Sequence, residues 1–198
     1  MLKLKSDLKK FRKTRNVITE KTLNLPIVEF LTYCYRNCTP SKYGQIFPKK
    51  IVKDSNHKIT ELSSTLDRGD FHINYKVFLE SKISFMNMNG KYSITNIRGW
   101  QKLNYFLLCF VDSNMEPHIY CVPKRTITDN PHITLTPMNN SASRNIHNTY
   151  VGMRTSVNHD DLNWLFKKDN VLKGTSYKHL LSFINSTFLK LKLQSNDK

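Results

Sequence analysis

At Asp70 the hydrophobic pattern of the chain changes period, and this switch constrains the fold more than any other feature. Residues 70–94, DFHINYKVFLESKISFMNMNGKYSI, alternate every second position, which predicts strand, turn, strand, then a second hairpin at Met88-Asn89-Gly90. Upstream the spacing is helical. Asn24 is placed to cap a helix that begins at Pro26, turns Ile27, Val28, Phe30, Leu31 and Tyr35 inward and ends before Thr39-Pro40. The next stretch, SKYGQIFPKKIVKDS, predicts a shorter helical or irregular piece broken at Pro48. Downstream, NIRGWQKLNYFLLCFVD starts like a helix and ends like a buried strand, and HIYCVP is a further short strand closed by Pro123. Residues 126–159 are polar and loop-like, and from about Asp161 two helices are expected around Trp164 and Leu180. The sum is an α/β (α+β) layout, a mixed sheet with helices.

The 198 residues, 39% of them hydrophobic, suffice for one domain spanning 1–198 that buries roughly 70% of its extended surface. No apolar run reaches the roughly 20 residues of a membrane span, and the basic start MLKLKSDLKKFRKTR lacks the apolar stretch of a secretory signal. A cytoplasmic protein with no membrane partner is therefore expected. Cys34, Cys38, Cys109 and Cys121 lack the spacing of a zinc site and fit reduced thiols in a core. His159, beside Asp160 and Asp161, is the one cluster of histidine with acids, and it reads as a loop or helix start.

The net charge is +16, from 31 Lys and Arg against 15 Asp and Glu, so a polyanion is the first partner to expect. Residues 1–16 concentrate the excess, with Asp7 the one acid among seven bases, as a basic arm or amphipathic helix. For reading bases, the polar stretch within 126–160 offers Asn139, Asn140, Ser141, Ser143, Arg144, Asn145 and Asn148, since Arg and Asn can contact guanine and adenine edges bidentately. Arg154 lies beyond it, and Lys124 and Arg125 precede it. A plain surface loop is the alternative.

Strand alternation in VFLESKISF puts Glu80 and Lys82 on one face and Leu79, Ser81, Ile83 and Phe85 on the other. Asp70 and Glu80 each lie five residues from Tyr75, so the simplest hairpin makes them direct cross-strand neighbours with Cβ atoms about 5 Å apart. Two such carboxylates repel. A Mg²⁺ ion held by Asp70, Glu80 and the carbonyl of Ser81 would offset the repulsion, with Lys82 orienting water or neutralising phosphate charge. That is the chemistry of phosphodiester hydrolysis. The triplet alone is not distinctive, because Asp7-x-Lys9 repeats it; the apolar strand and the upstream Asp70 set Glu80-x-Lys82 apart. Glu80 and Lys82 as a solvent-facing charged pair remain the alternative.

Asp70, a gap of nine, and Glu80-x-Lys82 resemble the PD-(D/E)XK nuclease superfamily, and NIRGWQKLNYFLLCFVD is similar to the segment after the core in small type II restriction endonucleases. The likeness covers residues 41–125. It implies a restriction-endonuclease-like mixed central β-sheet flanked by helices, with Asp70 and Glu80 as metal-binding acids and Lys82 as the catalytic lysine. Gln101-x3-Tyr105 is similar to the Q-x3-Y signature of the RecB-like branch, which implies that both lie on a helix and contact the substrate strand, with Arg98 a phosphate contact. Gly69 stands where the pattern has Pro, and the extra acid of an early helix has no clear match; Gln45, Glu29 or Glu61 are the stand-ins. The resemblance implies a Mg²⁺-dependent type II restriction endonuclease acting on double-stranded DNA, as a homodimer matched to a palindrome. A repair or phage recombination nuclease, and a basic DNA-binding protein without catalysis, are the rivals.

Overall fold

A computed structural model describes residues 18–62, 68–138 and 152–196. The basic arm 1–16 and the base-reading candidates Asn139, Asn140, Ser141, Ser143, Arg144, Asn145 and Asn148 lie outside the described residues. Three helices come first: α1 (Glu20–Asn24), α2 (Ile27–Asn37) and α3 (Pro40–Asp54). Asn24 ends α1 rather than capping α2, whose N-cap is Pro26. Helix α2 buries Phe30, Leu31 and Cys34, one stripe at helical spacing. Helix α3 runs unbroken through Pro48, against the expected break. Proline there removes only the donor that would reach back to Gly44, while burial of Ile46, Phe47, Pro48 and Ile51 along one face holds the helix together.

Five strands form the larger sheet in the order β1-β2-β3-β5-β6: β1 (Thr60–Glu61), β2 (Phe71–Ile73), β3 (Val77–Phe85), β5 (Tyr105–Val111) and β6 (Pro117–Pro123). The β3–β5 pair is parallel and the other three are antiparallel, so the sheet is mixed. Its centre is covered on both sides, which explains the nearly continuous apolar run of β5. Leu107, Cys109 and Val111 face a core shared with α2, α3 and the long C-terminal helix α6 (Tyr177–Asn196). Phe106, Leu108 and Phe110 face a second core.

That second core is closed by a three-stranded sheet of order β4-β8-β7, comprising β4 (Lys91–Ile97), β7 (Thr136–Pro137) and β8 (Met153–Asn158). Here the structure corrects the expected second hairpin. The chain does turn at Met88-Asn89-Gly90, with Asn87 Oδ1 accepting from the N–H groups of Asn89 and Lys91, but β4 leaves the first sheet and pairs with β8. The reason is that β5 already occupies the free edge of β3. The expected helix at Asn96 is also absent: Asn96 has φ +56°, and residues 98–104 are irregular. Within the polar segment 126–159, the described residues form β7, β8 and the end of the short helix α4 (Arg125–Thr128). The helix expected around Trp164 is α5 (Leu162–Phe166), and the one around Leu180 is α6. All four cysteines are buried free thiols. No helix among the described residues is long and apolar enough to cross a membrane.

Candidate active site

The β2–β3 hairpin has the register expected from the sequence, pairing Ile73 with Val77, His72 with Phe78 and Phe71 with Leu79 around Tyr75. One step further the ladder gives way to a special geometry. The Asp70 N–H donates to the Leu79 carbonyl at 2.8 Å, and Gly69, at φ +90°, approaches so closely that a Cβ would stand 2.5 Å from the same oxygen. Only glycine fits there. Asp70 is thereby set beside the middle of β3, where its Oδ2 accepts hydrogen bonds from the Ser81 N–H at 2.8 Å and the Ser81 hydroxyl at 2.9 Å.

Glu80 is buried, and each of its carboxylate oxygens is engaged: Oε1 pairs with Lys82 Nζ at 2.5 Å, and Oε2 accepts from Gln101 Nε2 at 3.2 Å. The Gln101 backbone carbonyl in turn accepts from Lys124 Nζ at 2.9 Å. A chain of contacts therefore runs from the end of β6 through the 98–104 connection to the acid on β3. Burial pushes the Asp70 carboxyl above the ordinary range, and the neighbouring Glu80 charge pushes it further, while Lys82 and the Ser81 donors pull it back. No protein-family model and no curated protein matches the chain.

Two crowded carboxylates are the kind of ligand a Mg²⁺ ion uses, since it takes one or two carboxylates and fills the rest of its shell with water and phosphate oxygens. The Gln101 side chain supplies a further sign. Its Oε1 is buried without a hydrogen-bond partner among the described residues, an amide oxygen next to Glu80 with spare capacity for a cation or a water. No group of three or more His, Cys, Asp and Glu side chains suited to a metal occurs among the described residues, so any ion at Asp70 and Glu80 would rest on two acids. Gln45, Glu29 and Glu61 are exposed and make no hydrogen bond or ion pair with Asp70 or Glu80 among the described residues.

Asp70, Glu80, Ser81, Lys82, Gln101 and Lys124 are brought together, with Ser81 contributing its N–H and hydroxyl to Asp70. Arg98 stands next to the group, because its carbonyl accepts the Gln101 N–H at 3.1 Å. Tyr105 is separated from them. It opens β5 opposite Leu79, on the sheet face away from Glu80, and its ring meets Phe183 of α6 at 6.3 Å. The helical Q-x3-Y arrangement is thus corrected: Gln101 is in a connection, Tyr105 is in a strand, and the strand period sends them to different neighbours. Arg125 is exposed on α4. Exposed Arg154 lines a pocket of about 420 Å³ on the smaller sheet, with Ser93, Thr134, Thr136, Thr155 and Ser156.

Two residues of this region, His72 and Tyr75, escape a reading of the sequence for chemistry, and Lys124, expected from the sequence as a DNA contact, is found in another place. Lys124 clamps Gln101 from 23 positions away, a pairing no local pattern announces. His72 shares the face of Phe78, Glu80 and Lys82, and the Asp70-x-His72 alternation was the available signal. Burial lowers the His72 pKa, so its ring is neutral at pH 7. Tyr75, at the hairpin tip, has left-handed φ where a turn favours glycine.

Proposed function

We propose that the protein is a Mg²⁺-dependent endonuclease that hydrolyses phosphodiester bonds of double-stranded DNA, as a site-specific enzyme of the restriction type. The observation that carries this reading is the pair Asp70 and Glu80, two carboxylates held close enough that the Glu80 charge raises the Asp70 carboxyl, beside the Lys82 ammonium. Fixed donors hold like charges together at a cost, and a divalent cation turns that cost into affinity.

Asp70 and Glu80 would hold the ion, which when bound polarises a phosphoryl oxygen and lowers the pKa of water. Ser81 keeps Asp70 from turning away, and the Gln101 amide keeps Glu80 aimed. The Lys82 ammonium, held at Glu80, would neutralise charge that grows on the phosphate during attack and hold the attacking water by a hydrogen bond. Excess positive charge draws the duplex, and a homodimer would bring one such site to each strand.

The test is incubation of the protein with a long unmodified duplex in Mg²⁺, in Ca²⁺ and in EDTA, beside Glu80→Ala and Lys82→Ala. Discrete fragments in Mg²⁺ alone, reduced at least about 100-fold in both variants, are expected. Undiminished cutting by either variant would reject the site, and an intact duplex bound equally by all three proteins would leave a basic DNA-binding protein.

A further inference from the structure

The tip of the β2–β3 hairpin carries an anomaly that the hydrolytic site does not use. Asn74 and Tyr75 have φ of +48° and +54°, and the Lys76 N–H closes the turn on the Ile73 carbonyl at 3.1 Å. Left-handed φ at both central positions is the pattern of a type I′ turn, which favours Asn-Gly. Asn74 suits the first position. A bulky Tyr at the second is strained, and such strain persists where surrounding contacts hold it in place.

Those contacts are specific. The Tyr75 N–H donates to His72 Nδ1 at 3.2 Å, and the Tyr75 ring stacks on the His72 ring with centroids 4.0 Å apart and planes 26° from parallel. Behind His72 lies Phe78 at 6.2 Å, and the Arg68 guanidinium lies 5.1 Å over the Phe78 ring. Yet Tyr75 stays 76% exposed. One ring face rests on a buried imidazole while much of the ring meets water; exposed Lys76 follows it in the chain, and exposed Arg68 stands over Phe78, the next ring behind His72. A ring fixed in orientation and open on one side, in a hairpin that also carries exposed Lys76 and Arg68 nearby in sequence, has the features of a stacking platform for nucleic-acid bases.

We infer that Tyr75 is a binding site for a DNA base that has left the duplex stack, the base continuing the stack that His72 begins. The inference rests on the nuclease reading for its choice of DNA. Glu80 lies three residues beyond Val77, where β3 leaves the turn, about 10 Å of strand, so the Tyr75 platform at the tip stands about three or more base-pair steps of duplex from the carboxylates. The platform thus meets the strand a few nucleotides from the carboxylates, holding a base that is flipped, frayed or unpaired.

The test uses oligonucleotides carrying 2-aminopurine in EDTA: single-stranded, opposite an abasic site, and fully paired. Quenching in the first two and not in the third is expected for the wild-type protein. Tyr75→Phe keeps the ring and retains the quenching. Tyr75→Gly removes the ring while relieving the backbone, so it folds with an undiminished melting temperature and binds the two unpaired probes about 5- to 100-fold more weakly. Its affinity for the paired probe is unchanged. Wild-type quenching and affinity in Tyr75→Gly, or an equal loss on all three probes, would overturn the inference. Cleavage of duplex in Mg²⁺ by a protein indifferent to Tyr75 would sink the platform alone, whereas ring-dependent quenching by a protein that never cuts would sink the nuclease alone.

Discussion

Asp70 sits in a conflict between folding and chemistry. Its carboxyl is raised by burial first and by Glu80 second, so the folded chain holds that proton more tightly than the unfolded chain does. The cost of ionising it is present in full above the raised pKa and disappears as pH falls through that value towards the ordinary Asp range. Asp70→Asn, which can still accept from Ser81, is therefore expected to raise the melting temperature of the metal-free protein at pH 7 and to abolish cleavage. A lower melting temperature would argue against the charge conflict. Binding of Mg²⁺ requires the ionised form, so at Mg²⁺ concentrations below saturation the acid limb of cleavage should lie above the ordinary Asp range. Ser81→Ala removes a hydroxyl that pulls the Asp70 pKa down, and the limb in a pH–rate profile should move to higher pH; an unmoved limb would separate Asp70 from the rate. Asp70, Glu80 and Lys82 were legible in the sequence because a short hairpin and a period of two fix both register and face. The contact of Lys124 with Gln101 and the Tyr75 platform were not, since the first depends on a fold-level encounter and the second on backbone angles.

At the level of elements, two glycines of the first half should respond in opposite directions. Gly69→Ala forces a Cβ against the Leu79 carbonyl at φ +90°, and we expect a loss of about 2 kcal/mol or more in denaturant unfolding, together with displacement of Asp70. Gly44→Ala places its Cβ in open space on α3 and should stabilise by about 1 kcal/mol. Helix α2, the β2–β3 hairpin and the buried strands β5 and β6 follow from hydrophobic period alone. The continuity of α3 past Pro48 and the departure of β4 to another sheet do not, because both are decided by what each segment buries against. Residues 98–104 show the same limit: their polar and aromatic mix has helical spacing, but a register shift between Ile94 and Ile97 and the left-handed Asn96 send the chain out as a connection.

For the whole molecule, the charge of +16 was visible from composition, and it predicts binding to duplex DNA that weakens steeply with salt. With about 6 to 10 phosphates neutralised, affinity should fall about 10³- to 10⁵-fold between 50 and 200 mM salt; a flat dependence in a titration would remove DNA as the partner. The two-sheet arrangement was not visible, because nothing local links Lys91 to Asn158, its partner in the β4–β8 ladder. That ladder has a consequence for the order of assembly. Strand β4 lies inside the connection between the parallel neighbours β3 and β5, so Glu80 and Gln101 sit at opposite ends of a segment that settles only when β8 arrives from the last quarter of the chain. The β2–β3 hairpin needs only its neighbours and can close within about 1–10 μs, whereas contacts between distant segments form late. During synthesis the acids would thus meet early but remain unclamped until most of the polypeptide has left the ribosome. A nascent or truncated chain would then carry the two carboxylates without the Gln101 and Lys124 contacts that clamp them.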